Sequence, residues 1–124
     1  FFDLSHLPGV DIVCNPPYNI LSEWIDHAIK ATDNEARIAV FTRLAFLSSM
    51  KRYDKFTREW PLKAVLVCSK RVNCLPGSEL LKGEKPGGGA IDYCWLIFDK
   101  TIDMNNPNRP PVIGFLAPKE NQDA

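Results

Sequence analysis

An α/β fold built on a mostly parallel sheet is what this sequence predicts, and three observations predict it. Short apolar runs alternate with helically periodic stretches in the order strand, helix, strand, helix, strand. Residues 93–98 (Tyr-Cys-Trp-Leu-Ile-Phe) are apolar without alternation, the pattern of a strand buried on both faces. The chain has 124 residues, 45% hydrophobic and 24% charged, which fits one core of about 100 to 150 residues.

The elements follow in order. Residues 10–14 (Val-Asp-Ile-Val-Cys) form a short strand that ends at Asn15-Pro16-Pro17, because two prolines neither continue a ladder nor start a helix interior. Ile20, Leu21, Trp24, Ile25, Ala28 and Ile29 then share one helical face. Asn19 is placed to cap this helix, with Glu23 and Asp26 toward its N-terminal end and Lys30 near its C-terminus, as the helix dipole prefers. Residues 36–42 (Ala-Arg-Ile-Ala-Val-Phe-Thr) are the second strand. Leu44, Leu47, Met50, Tyr53 and Phe56 mark a second helix, which Pro61 follows. Residues 62–68 are the third strand. An irregular stretch holding Pro76-Gly77 and Gly87-Gly88-Gly89 leads to the fourth, at 93–98. No helix-length periodic segment separates the third and fourth strands, so their pairing is expected to be antiparallel. Residues 105–111 read as a proline-rich linker, and 112–116 as one short edge strand.

Composition excludes several classes. No apolar run approaches the roughly 18 residues of a membrane-spanning helix, and Phe1-Phe2-Asp3-Leu4 carries no basic-then-apolar signal pattern. That start, which has no Met, reads as a cut edge. Cys14, Cys68, Cys74 and Cys94 include no Cys-x-x-Cys pair, and three lie in apolar runs, which favours reduced, core-packed thiols in a cytoplasmic protein. His6 and His27 have no partners at metal-ligand spacing, so no metal is assigned. Fifteen bases balance fifteen acids, but not uniformly. Residues 1–35 hold six acids and one base, while 51–71 hold seven bases and two acids. Such a partition gives local fields that the zero net charge hides.

The most informative feature is Asn15-Pro16-Pro17-Tyr18 directly after an apolar strand. In an open α/β sheet, ligands bind beyond the carboxyl ends of the strands, which is where this tetrapeptide falls. Taken alone it also fits a stiff turn or a polyproline ligand; set between an apolar strand and an amphipathic helix, it is better read as a catalytic loop. The tetrapeptide resembles the Asp/Asn/Ser-Pro-Pro-aromatic signature of the amino-methyltransferases that use S-adenosylmethionine, and the roles that follow are what that resemblance implies: an exocyclic amine on a heteroaromatic ring is a poor nucleophile, because its lone pair is delocalised. The Asn15 side-chain carbonyl and the Pro16 main-chain carbonyl can accept both amine hydrogens and favour a pyramidal nitrogen. Pro17 has no N–H to compete and fixes the backbone direction. Tyr18 offers a face on which an extruded base can stack.

Here the sequence resembles the S-adenosylmethionine-dependent adenine-specific DNA methyltransferases of phage and prophage type. The resemblance runs through residues 10–19, then Arg43-Leu44-Ala45-Phe46-Leu47, then Ser69-Lys70-Arg71, then 92–98, and covers about residues 1–116. It implies the C-terminal half of a Rossmann-like class I methyltransferase, a mostly parallel sheet with an antiparallel strand near the C-terminus. Residues 1–104 would be a partial catalytic domain, and 105–124 a proline-rich tail with an edge strand. The implied reaction is direct methyl transfer to the amine of a flipped adenine in DNA, with Asn15, Pro16, Pro17 and Tyr18 as the catalytic loop. The implied cofactor contacts are Phe1, Asp3 and Asn15. The implied DNA contacts are Arg43, Lys51, Arg52 and Arg71, within a stretch that interleaves bases with aromatics as a backbone-tracking surface does.

The family's glycine-rich cofactor loop and the acid after its second strand have no counterpart here. The chain is therefore expected to need a missing upstream half or a partner chain. Methylation of a protein glutamine or an RNA base uses the same tetrapeptide and stays open, as does a non-catalytic remnant or nucleic-acid-binding module.

Overall fold

In the computed structural model, residues 1–2, 5–69, 91–109 and 111–117 are described. They form one five-stranded mixed sheet in an α/β arrangement: β1 (Ile12–Cys14), β2 (Arg37–Arg43), β3 (Leu62–Cys68), β4 (Tyr93–Asp99) and β5 (Val112–Leu116), ordered β1-β2-β4-β3-β5. β1 pairs parallel with β2, and β3 with β5, while β4 is antiparallel to both of its neighbours, β2 and β3. Four strands thus run one way and one runs against them. The antiparallel pairing of β3 with β4 agrees with the sequence. Its insertion between β2 and β3 is the new fact, and burial accounts for it: β4 is the most continuously apolar run, so it takes the centre, with Cys94, Leu96 and Phe98 fully buried.

The helix α1 (Leu21–Ala31) follows β1 and buries Leu21, Trp24, Ile25, Ala28 and Ala31. Its first-turn Glu23 and last-turn Lys30 match the dipole. Asn19 is not its cap. Asn19 lies inside a 3-10 turn, Tyr18–Ile20, closed by the Ile20 N–H donating to the Pro17 carbonyl at 3.2 Å, and Ile20 stands at the cap position. The backbone bond from the proline carbonyl sets the helix start without a side chain. At the other end the Lys100 ammonium donates to the carbonyls of Ile29 (2.5 Å) and Thr32 (2.6 Å), satisfying groups that a helix terminus leaves open.

The expected second helix is present as an irregular run over residues 50–59, which passes from 3-10 at Met50–Arg52 through α-helical Tyr53 and Asp54 to a π turn at Lys55–Glu59. It does not reach back to Leu44: a separate 3-10 turn, Leu44–Leu47, is split from it by extended Ser48 and Ser49. Residues 44, 47, 50, 53 and 56 recur every three positions, a spacing that drifts around an α-helix of about 3.6 residues per turn. Met50, 95% exposed, and Tyr53 point to solvent.

Phe46 and Trp60, the residue just after the π turn, join α1 over one sheet face, packing with Ile38, Val40, Val65, Leu96 and Phe98. The two layers are tied by Asp26 of α1, which accepts from the Trp60 indole at 2.9 Å and from the Lys55 ammonium at 3.1 Å. The alternate sheet positions Ala39, Phe41, Trp95 and Ile97 are only half-buried, and Val13 among them is exposed. Cys14, Cys68 and Cys94 are free thiols, and Cys74 lies outside the described residues. Among the described residues no helix is long and apolar enough to cross a membrane, and no group of three or more His, Cys, Asp or Glu side chains could hold a metal.

Candidate functional site

The parallel pairing of β1 with β2 sets Cys14 beside Val40, so the chain leaving β1 emerges next to the end of β2. Antiparallel β4 begins at that same end, with Tyr93 opposite Arg43. The three elements enclose an open cleft of about 310 Å³ lined by Asn15, Pro16, Pro17 and Tyr18, by Phe41, Thr42 and Arg43, and by Tyr93. The cleft lies at the lower end of the usual range for small-molecule sites, roughly 300–1,000 Å³. Pro16 is buried, which anchors the loop, while Asn15 and Pro17 are exposed.

Tyr18 is 39% exposed. The Arg43 guanidinium lies over its ring, 4.9 Å from the centroid, and the Phe46 ring meets it edge to face at 6.0 Å. Phe46 in turn carries the Arg52 guanidinium at 4.1 Å, and the Arg52 Nε donates to the Phe46 carbonyl at 2.7 Å. Arg43, Tyr18, Phe46 and Arg52 therefore form one chain, two adjoining rings with a cation at each end. On the other wall the Phe41 and Tyr93 rings stack at 5.1 Å, nearly parallel, and Trp95 leans against Phe41 at 5.2 Å. The cleft is thus lined by an amide side chain, two prolines, aromatic rings and a guanidinium.

The sequence-predicted residues divide as follows. Asn15, Pro16, Pro17, Tyr18 and Arg43 share the cleft. Arg52 is tied to Phe46 one step away, and the exposed Lys51 lies on the same turn. Other bases of the segment are paired with acids: Lys55 with Asp26 and Glu59, Arg58 with Asp54, and Lys63 with Asp99. The hydrogen bonds to Asp26 and Glu59 hold the Lys55 ammonium above its ordinary pKa. Asp3 and Arg71 lie outside the described residues, as does the Gly87-Gly88-Gly89 loop. Phe1 does not line the cleft; its ring stacks on Trp24 of α1 at 4.8 Å and meets His27 edge to face at 5.0 Å.

Phe41, Thr42 and Tyr93 are cleft residues that the sequence reading did not single out. Phe41 was legible in principle, since it precedes Arg43 by two positions and so shares its side of the strand. Tyr93 was not, because only the pairing with β2 brings it there. A larger groove of about 1,110 Å³ is lined mainly by Leu47, Met50, Tyr53, Phe56 and Pro107, with Ser48, Ser49, Thr57 and Arg109 as its polar members. No protein-family model, curated protein or solved structure matches the chain.

Proposed function

We propose that this chain supplies the acceptor-base pocket of an S-adenosylmethionine-dependent adenine-specific DNA methyltransferase, as the C-terminal half of a Rossmann-like domain. The observation that carries the reading is the convergence of Asn15-Pro16-Pro17-Tyr18 with Arg43 and Tyr93 in one cleft at the carboxyl ends of parallel strands. The mostly one-way strand directions, with a single opposed strand, are in keeping with it.

In this reading the target adenine is flipped from the stack, since the amine is out of reach inside a duplex. Its ring packs on Tyr18. The Asn15 side-chain carbonyl and the Pro16 carbonyl accept the two amine hydrogens and draw the nitrogen toward a pyramidal shape, with its lone pair directed at the donor. Pro17 keeps the loop rigid and offers no competing N–H. S-adenosylmethionine, when bound, supplies a methyl group on a sulfonium centre. Its own pocket is only partly met by the residues named for it: Asn15 lines the cleft, whereas Phe1 is committed to Trp24. The aromatic walls favour a heteroaromatic acceptor over the aliphatic amide of a protein glutamine, which has no ring to stack.

The test is nucleoside mass spectrometry of DNA incubated with S-adenosylmethionine and the whole gene product. Methyladenine is expected, with Asn15→Ala lowering its formation by at least about a hundredfold, the scale of losing one preorganised polar group at a reacting centre. Absence of methyladenine, or an undiminished Asn15→Ala protein, overturns the reading.

A further inference from the structure

One face of the Tyr18 ring is already covered. The Arg43 guanidinium lies 4.9 Å from the ring centroid, within the range of a cation–π contact, and lines the same cleft as Asn15. Phe46, itself buried, meets the Tyr18 ring edge to face at 6.0 Å. Arg43 is exposed, stands at the last position of β2 and makes no ion pair among the described residues. Among the described residues its head group is held by the Tyr18 ring. A guanidinium over a neutral phenol at an exposed site is weakly held, whereas a phosphate offers it charge and a matching pair of oxygens.

We propose that Arg43 is a positioning residue that exchanges partners: it covers Tyr18 when the cleft is empty, and the phosphate of an incoming nucleotide draws it off so that the base takes its place. The inference rests on the acceptor-pocket reading and goes beyond it, because it couples recognition of the phosphate to access of the base. A planar ring without a phosphate must displace Arg43 uncompensated. A ring that brings its own phosphate gives the guanidinium somewhere to go. The cleft therefore selects nucleotides over free nucleosides by uncovering its stacking face, as well as by direct charge attraction.

The experiment is an NMR titration of the full chain with adenosine and with adenosine 5′-monophosphate, following the Asn15 and Tyr18 backbone amides, in the wild type and in Arg43→Ala and Arg43→Lys. The wild type is expected to prefer the monophosphate. Arg43→Ala should bind adenosine about two- to fivefold more tightly than the wild type, the factor of one exposed cation–π contact removed, and should lose the preference for the monophosphate. Arg43→Lys should keep part of that preference, since its charge remains while its planar stack is gone. Weaker adenosine binding by Arg43→Ala, or an unchanged preference in it, overturns the exchange and leaves the acceptor pocket standing. Unmoved Asn15 and Tyr18 signals with both ligands in every variant overturn the acceptor pocket, and the exchange with it.

Discussion

Tyr18 combines two environments on one ring, a cation over its face and the Phe46 ring at right angles to it. In the proposed acceptor pocket its part is the stacking face, so Tyr18→Ala should weaken binding of an adenine-containing oligonucleotide by about 1–3 kcal/mol, while Tyr18→Phe stays near the wild type. Fluorescence anisotropy reads both. Cys94 shows the opposite character, fully buried on β4 as its apolar run predicts. Burial, with Cys68 nearby, pushes its thiol up to about 11. The thiolate is the reactive form, so Cys94 should resist alkylation at neutral pH and react only on unfolding or as pH rises toward that value. Mass spectrometry after timed alkylation checks this, with half-buried Cys14 as the faster internal comparison. The Asn-Pro-Pro-Tyr loop itself was legible from local chemistry, because proline geometry and the strand before it do not depend on distant contacts.

Among the elements, α1 was legible from its apolar face, and the second helix was legible over 50–59 but not its separation from the Leu44–Leu47 turn, which extended Ser48 and Ser49 impose. What joins the two is Asp26, which receives the buried Trp60 indole and the Lys55 ammonium. Asp26→Ala leaves the indole N–H without that acceptor and should cost about 1–3 kcal/mol of stability in urea denaturation. At the end of β4, Asp99 is held below the ordinary carboxylate range. Burial pushes its pKa up, and this is outweighed by hydrogen bonds from the Thr101 hydroxyl and N–H and by Lys63. A depressed carboxylate contributes stability that is present above its unfolded value, about 3.9, and lost as pH falls through the lower folded one. The stability gap between wild type and Asp99→Asn should therefore be constant near neutrality and close below about pH 4, as urea titrations across pH would show.

For the molecule as a whole, the basic balance of residues 51–71 overstates the positive charge open to a partner. Lys55, Arg58 and Lys63 face acids that lie as close as four residues away or across the fold. The edge strand β5 leaves Val112, Ile113 and Phe115 exposed, the last by 74%. An apolar, unpaired strand edge promotes association, so Phe115→Lys should reduce concentration-dependent growth in light scattering while changing stability by no more than about 0.5 kcal/mol. The sequence by itself determined the strands, α1, the antiparallel pairing of β3 with β4 and the tetrapeptide at a strand end, because period, proline stiffness and apolar run length are local properties. Only the tertiary structure decided that β4 enters between β2 and β3, that Tyr93 and Phe41 wall the cleft, and that Arg43 rests on Tyr18. Those facts come from pairing residues some fifty positions apart in sequence, such as Arg43 with Tyr93, and that choice is made by which strand buries best at the centre of the sheet.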